Sequence, residues 1–507
     1  MAKTSKPGKS NKKVATGGMV VTVVAIVLII ACFFTYISGI LPKLITGISI
    51  TETLPDGSTG TVRNFSILEA NFHFQETFGS YSQYGYVTKD NLEDVYDSTT
   101  GETYREWLLR ETANQLKTLT MVQRSAEQSE FYQYSKAKEI AAKNMETMDL
   151  NAMMYGYQSG QHFLTTNYGT GMTKRAYADF SADEILVQEY GSYLKQFDPT
   201  IVPSDEEVQA KYEENPNQTF VISYSSYFIQ ADKDDSGNVV DFDKTVAAGK
   251  KIADAAKDTA SFRTAVMDYL KDKGDEEALA GYEEDADPTY TENMTYSNAT
   301  YMSSEVKDFL FSDCKIGDVK VIETEFGVYV VRIADKKANE IKNVTYRMLT
   351  LSTGAKSDAT AEEIAAALQE TKTKAESLCT AGMTPIAFYS VVKNNSQDTN
   401  EILEGGYNAA VTVDAFISTE ENPLDSATIE AGQWLFDGTR QCGDVKIIAS
   451  EDQKTVYVYY FEASRPAWEV AIRNDMITAN FNAWNVALEQ SNPGYVVNSG
   501  LMKYLIY

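Results

Sequence analysis

The sequence predicts a multidomain α+β protein behind an N-terminal transmembrane helix, on three observations. Met19–Leu41 contains no charged residue and follows a tail with five lysines and no acid. Helical periodicity then runs to about residue 220 and gives way to strand-like alternation, which marks a domain boundary. Finally, one hairpin grammar occurs twice. Gly317-Asp318-Val319-Lys320-Val321-Ile322 returns as Gly443-Asp444-Val445-Lys446-Ile447-Ile448, Leu310-Phe311 as Leu435-Phe436, and Gly281-Tyr282 as Gly406-Tyr407. The offsets are 126, 125 and 125 residues, so order and spacing are both kept, and two copies of one module are expected.

Residues 1–18 are a basic, Gly/Ser/Lys-rich tail without an apolar period. The run 19–41 would span about 34 Å as a helix, enough for a bilayer core of about 30 Å. Lysines on its N-terminal side place the N-terminus in the cytoplasm and the bulk outside. Ile29-Ile30-Ala31-Cys32 also fits a lipobox, in which Cys32 would be lipidated after signal cleavage. The apolar run continues through Phe33, Phe34, Ile37 and Leu41, which favours an uncleaved anchor. The first 50 residues hold six lysines and no acid, so residues 51–507 carry 39 basic against 72 acidic residues. Such a surface repels nucleic acid and anionic lipid, and neither is an expected partner. Cys314, Cys379 and Cys442 are too sparse for a disulfide framework and read as small buried thiols.

Residues 60–220 read as a helical domain, with helices expected at Asn64–Phe78, Thr103–Ala126, Lys136–Met148, Met172–Phe197 and Ser204–Glu214. Thr103–Ala126 shows the pattern best, with Trp107, Leu108, Ala113, Leu116, Leu119 and Val122 on one face. Ser204-Asp205-Glu206-Glu207 is a helix start with a capping hydroxyl and an acid three residues on. The first module, 221–338, opens on a strand at Val221–Gln230, continues through helices over Thr245–Lys271 and Ser303–Phe311, and closes on the hairpin. The second, 342–465, repeats the plan from Asn343–Leu351. Residues 466–507 supply an amphipathic helix, Trp468–Gln490, and a short strand. The helix is expected to return onto the N-terminal helices around Trp107 and Leu116.

This order resembles the SurA/PrsA-type extracytoplasmic foldases, which join a SurA-N-like chaperone domain to parvulin-type peptidyl-prolyl isomerase domains. Ser204-Asp205-Glu206-Glu207-Val208-Gln209-Ala210-Lys211-Tyr212-Glu213-Glu214-Asn215-Pro216 is similar to the family's linker helix. Ile316-Gly317-Asp318-Val319 through Phe326-Gly327-Val328-Tyr329-Val330-Val331 is similar to its closing segment, and Tyr168-Gly169 fits the chaperone domain of membrane-anchored Firmicute members. The resemblance implies a foldase or holdase whose partners are unfolded or nascent secreted polypeptides and, through the anchor, the cell membrane.

It also implies a pair of catalytic histidines, and here the chain departs from the family. By position they fall on Tyr227 and Tyr329 in the first module, and on about Arg347 and Tyr457 in the second. The only histidines are His73 and His162, both in the helical domain. Phe228, Phe309 and Phe326 are the implied peptide-binding residues. Rotation about an X–Pro bond needs no covalent chemistry, and a pocket that prefers the twisted amide can suffice. With histidine missing from all four positions, isomerase activity is nevertheless expected to be weak or lost, with a Tyr-based active pocket or a structural or adhesive surface protein as the alternatives. Two histidines without H-E-x-x-H speak against a zinc hydrolase, and G-x-S-x-G, P-loop and G-x-G-x-x-G motifs are missing. No cofactor is expected.

Overall fold

The computed structural model describes residues 40–214, 216–234, 237–282, 287–296, 298–490 and 493–505. The basic tail, the apolar run as far as residue 39 and Cys32 lie outside them. Among the described residues no helix is long and apolar enough to cross a membrane. The fold is multidomain α+β, and the described chain divides into two compact units.

The first unit takes residues 40–198, Tyr389–Gly406 and the chain from Phe481. It begins with a hairpin that periodicity did not reveal, Thr46–Thr53 and Thr59–Ser66. Pro493–Val497 pairs antiparallel with the first of these strands, giving a three-stranded sheet made from both ends of the chain. Ile48, Ile50 and Phe65 are fully buried against Phe74, Leu108, Leu116 and Met502. The helix expected from Asn64 starts later, at Ile67, because Asn64 is occupied in the sheet opposite Ser49, whose hydroxyl donates to its Oδ1 at 2.7 Å. Ser66 caps that helix instead, accepting from the Glu69 amide. Tyr104–Glu127 is closed by a reciprocal capping box between Thr103 and Glu106. The single helix expected over Lys136–Met148 is instead two short ones, Ala137–Asn144 and Met148–Met154. Gly160–Tyr168 and Lys174–Phe197 complete the layer.

The C-terminal helix, Ala467–Gln490, contributes its last turns to this unit. Phe481 lies under the Lys195 ammonium, 4.3 Å from ring centroid, and Trp484 meets Tyr190 edge-on at 6.0 Å. The cover expected over Trp107 and Leu116 comes from Tyr495, Val497 and Met502 beyond the helix, not from the helix itself. Residues 389–406 also belong here. The Tyr389 ring sits among Tyr134, Tyr193 and Phe197 at 5.8, 5.9 and 5.3 Å. Gly405, at φ +62°, closes against that ring so tightly that a Cβ would overlap it.

The second unit, Pro199–Phe388 and Tyr407–Asn480, holds two four-stranded antiparallel sheets of the same strand order. One runs Tyr290–Met294, Phe220–Gln230, Gly327–Ala338, Val319–Thr324; the other runs Tyr407–Val411, Lys342–Ser352, Thr455–Pro466, Val445–Ala449. The repeat extends to individual hydrogen bonds. Gly317 N donates to Ile333 O and Ile333 N to Asp318 O, both at 2.9 Å. Gly443 N donates to Phe461 O at 3.0 Å, and Phe461 N to Asp444 O at 2.9 Å. Both glycines have φ above +90°, which a side chain would oppose, and this is why the GDVK signature recurs. Cys314 and Cys379 are buried thiols and Cys442 is exposed; burial pushes the Cys379 thiol up to about 12.

Candidate functional site

Two faces of the first sheet have different covers. Helices Phe242–Ala255 and Thr259–Lys273 lie on one face, over Ile229 and Val330. The short helix Ser304–Leu310 lies on the other, over Ile222, Tyr224, Val331 and Ile333. Side chains alternate between faces along a strand, so register decides which residues meet.

Phe228 stands opposite Tyr329 on the central strands, and their rings approach to 4.5 Å. Ile322 stands opposite Tyr329 on its other side, so Phe228, Tyr329 and Ile322 form one row across three strands. Phe309 projects from the covering helix into the same cluster, with the Lys320 ammonium 5.2 Å from its ring. Phe228, Tyr329 and Phe309 are each half-buried, and together they make an aromatic ledge with a cation beside it. Gly327 must be glycine here, because a Cβ would overlap the Ile229 carbonyl oxygen and crowd the Phe228 ring at 2.8 Å.

Tyr227 does not join this ledge. It pairs with Val330 and points to the opposite face, where it packs against the Tyr269 ring at 6.0 Å. Burial, aided by Tyr282, Tyr269 and Asp275, pushes its phenol up to about 12. The two residues at the family's histidine positions are thus on opposite sides of the sheet, and Phe228 is the face-mate of Tyr329. Phe326 sits at the hairpin turn, 56% exposed, with Lys233 5.8 Å from its ring and its carbonyl accepting from Ala231 N at 3.0 Å. Ile322 and Lys320 were missed from sequence, although period-two counting back from the turn would have placed them beside Tyr329.

The second sheet keeps part of this arrangement. Tyr457 stands between Ile448 and Thr350, as Tyr329 stands between Ile322 and Phe228. Trp434 takes the place of Phe309, with the Arg440 guanidinium 5.4 Å from its ring. Arg347 does not correspond to Tyr227. Leu349 does, since it faces Val458 as Tyr227 faces Val330. Arg347 is fully buried two residues earlier, paired with Glu462 at 2.9 Å and stacked 5.0 Å from the Tyr407 ring. It is a buried cation paired with the partly exposed Glu462, not a group at the ledge.

Both histidines belong to the first unit, and neither is part of the two four-stranded sheets. His73 is buried in the first unit with Nδ1 3.1 Å from Glu184, and His162 accepts from Gln158 N at 3.3 Å. No curated protein matches the chain. Residues 222–337, the first sheet with its helices, match the family model described as the PPIC-type PPIASE domain, so the chain carries a parvulin-type peptidyl-prolyl isomerase domain over this stretch.

Proposed function

We propose that the chain is a membrane-tethered extracytoplasmic foldase or holdase whose isomerase domain binds extended, proline-containing segments of unfolded secreted polypeptides and turns them over weakly or not at all. The observation that carries this reading is the ledge of Phe228, Tyr329 and Phe309 in a family-matched domain without a histidine. Aromatic faces hold a prolyl ring and neighbouring apolar side chains by burial and stacking, and tolerate many sequences. The histidine pair that would help prefer the twisted amide over the planar one is missing from residues 222–337. Uniform binding of both forms gives affinity without rate.

Binding should therefore depend on the ledge and not on Tyr227. With a labelled Ala-Phe-Pro-Phe peptide, Phe309→Ala and Phe228→Ala should each weaken binding about tenfold, near the cost of one lost aromatic contact plus its area. Tyr227→Phe should leave binding unchanged in the same titration. Equal loss from all three substitutions would contradict the ledge.

The tether rests on the charge-free run 19–41 and the lysine tail before it. Protease added to intact spheroplasts should digest the large domains and spare a short N-terminal fragment. Full protection of residues 60–507 would contradict this, and a diacylated Cys32 in mass spectra would replace the helix by a lipid anchor.

A further inference from the structure

We infer that the helical unit holds a second polypeptide-binding site, a methionine-lined cleft that takes an apolar segment with a lysine or arginine beside it. The inference rests on the foldase reading above and gives it a substrate chemistry. Helices Ala137–Asn144, Met148–Met154, Gly160–Tyr168 and Lys174–Phe197 border a cleft of about 420 Å³. That volume lies within the usual range of ligand-sized clefts, about 300–1,000 Å³. Met145, Met148, Phe163, Tyr177 and Ile185 line it. Most of these belong to the buried cluster around Phe72 and Leu164, so the cleft is the open side of a core.

Methionine side chains are unbranched and polarisable, and reshape to fit apolar partners of different form. The rim continues the same chemistry outward. Leu150, Met153, Met154 and Tyr155 are 61, 54, 78 and 81% exposed, an apolar tip of the kind that marks an interaction surface. One charge faces this apolar lining. Glu184 is the charged residue among those lining the cleft, and its side chain is 43% exposed with His73 Nδ1 3.1 Å away. Asp149, nearby on the rim helix, is already held by Lys174 at 2.7 Å. A carboxylate against an apolar wall selects a cation next to apolar side chains, and the chain's net charge of −27 attracts the same ligand from a distance.

The test uses the full chain in phosphatidylcholine nanodiscs and two labelled probes, Lys-Lys-Leu-Leu-Phe-Leu-Leu and the same peptide with glutamate for both lysines. Wild type should bind the lysine probe about tenfold more tightly, because the exchange turns an attraction at Glu184 into a repulsion. That preference should shrink as salt rises from about 50 to about 500 mM. Glu184→Gln should cut the ratio several-fold, leaving the weaker preference set by the net charge. Gln188→Lys, on the rim and exposed, should do the same without disturbing His73. Ile185→Asp should weaken both probes. A ratio near one in wild type, or a ratio that survives both Glu184→Gln and Gln188→Lys, overturns the inference. If wild type still suppresses aggregation of an unfolded client in that case, the foldase reading stands while this site falls; failure to suppress aggregation strikes the foldase reading alone.

Discussion

Removal of residues 491–507 should unfold the helical unit while leaving the two four-stranded sheets intact. The C-terminal strand holds five residue pairs with Thr46–Thr53, from Ile48↔Val497 to Glu52↔Pro493. Behind it, Met502 is fully buried against Gly47, whose Cβ position lies 2.8 Å from the methionine sulfur. Loss of Met502 alone is expected to cost about 2–5 kcal/mol as a cavity. Loss of the strand adds an unpaired edge on Thr46–Thr53 and uncovers Trp107 and Leu116. Against a typical domain stability of about 5–15 kcal/mol, the sum is decisive. Hydrogen exchange should then show residues 46–127 unprotected and 220–338 protected. A truncated chain that melts like the full one, with residues 46–127 still protected, would refute the role given to the C-terminus.

Lys393→Met should be the most damaging single substitution, at about 3–5 kcal/mol. Lys393 Nζ lies 2.7 Å from Glu189 Oε1, and both side chains are fully buried. Glu189 also accepts from Ser135 Oγ at 2.7 Å and from the Lys136 amide at 3.1 Å. Burial pushes the Lys393 ammonium below its ordinary range, and Glu189 works against that shift. Removing the lysine leaves a buried carboxylate without its cation. Lys393→Met combined with Glu189→Gln should recover most of the loss, because the amide oxygen still accepts from Ser135 and Lys136 without a charge. Denaturant midpoints of the single and double variants measure this. Similar midpoints for Lys393→Met and wild type would show that the pair stabilises nothing.

Local signals were legible and distant ones were not. The paired GDVK turns could be read because Gly317 and Gly443 answer to a backbone conformation, and Asp318 and Asp444 each accept from an amide three residues back, Lys315 N and Gln441 N. The Thr103 and Ser204 helix starts could be read because a hydroxyl and an acid three residues on satisfy each other. Thr46–Thr53 could not, since its polar threonines hide the Ile48/Ile50 alternation, and of its two partner strands one, Pro493–Val497, lies more than 400 residues on. Lys393 carries no local signal of burial; its partner Glu189 lies about 200 residues earlier. At the candidate site, sequence placed Phe228, Tyr329 and Phe309 on the right module but not Tyr227 on its face. The parity of one residue decided that, and alignment to a histidine motif does not fix parity.

A chain of the proposed kind should hold unfolded polypeptides without much accelerating prolyl isomerisation. One paired measurement on a single preparation tests it: the rate of X–Pro isomerisation in a proline peptide, and light scattering of a chemically unfolded client, each with the protein at increasing concentration. The uncatalysed reaction takes tens of seconds at 25 °C, so modest catalysis is visible. Scattering should be suppressed, with an isomerisation rate within about twofold of the uncatalysed one. A large rate gain that is lost on Tyr329→Phe would contradict it and make the first module a working isomerase, and unchanged scattering would remove the holdase.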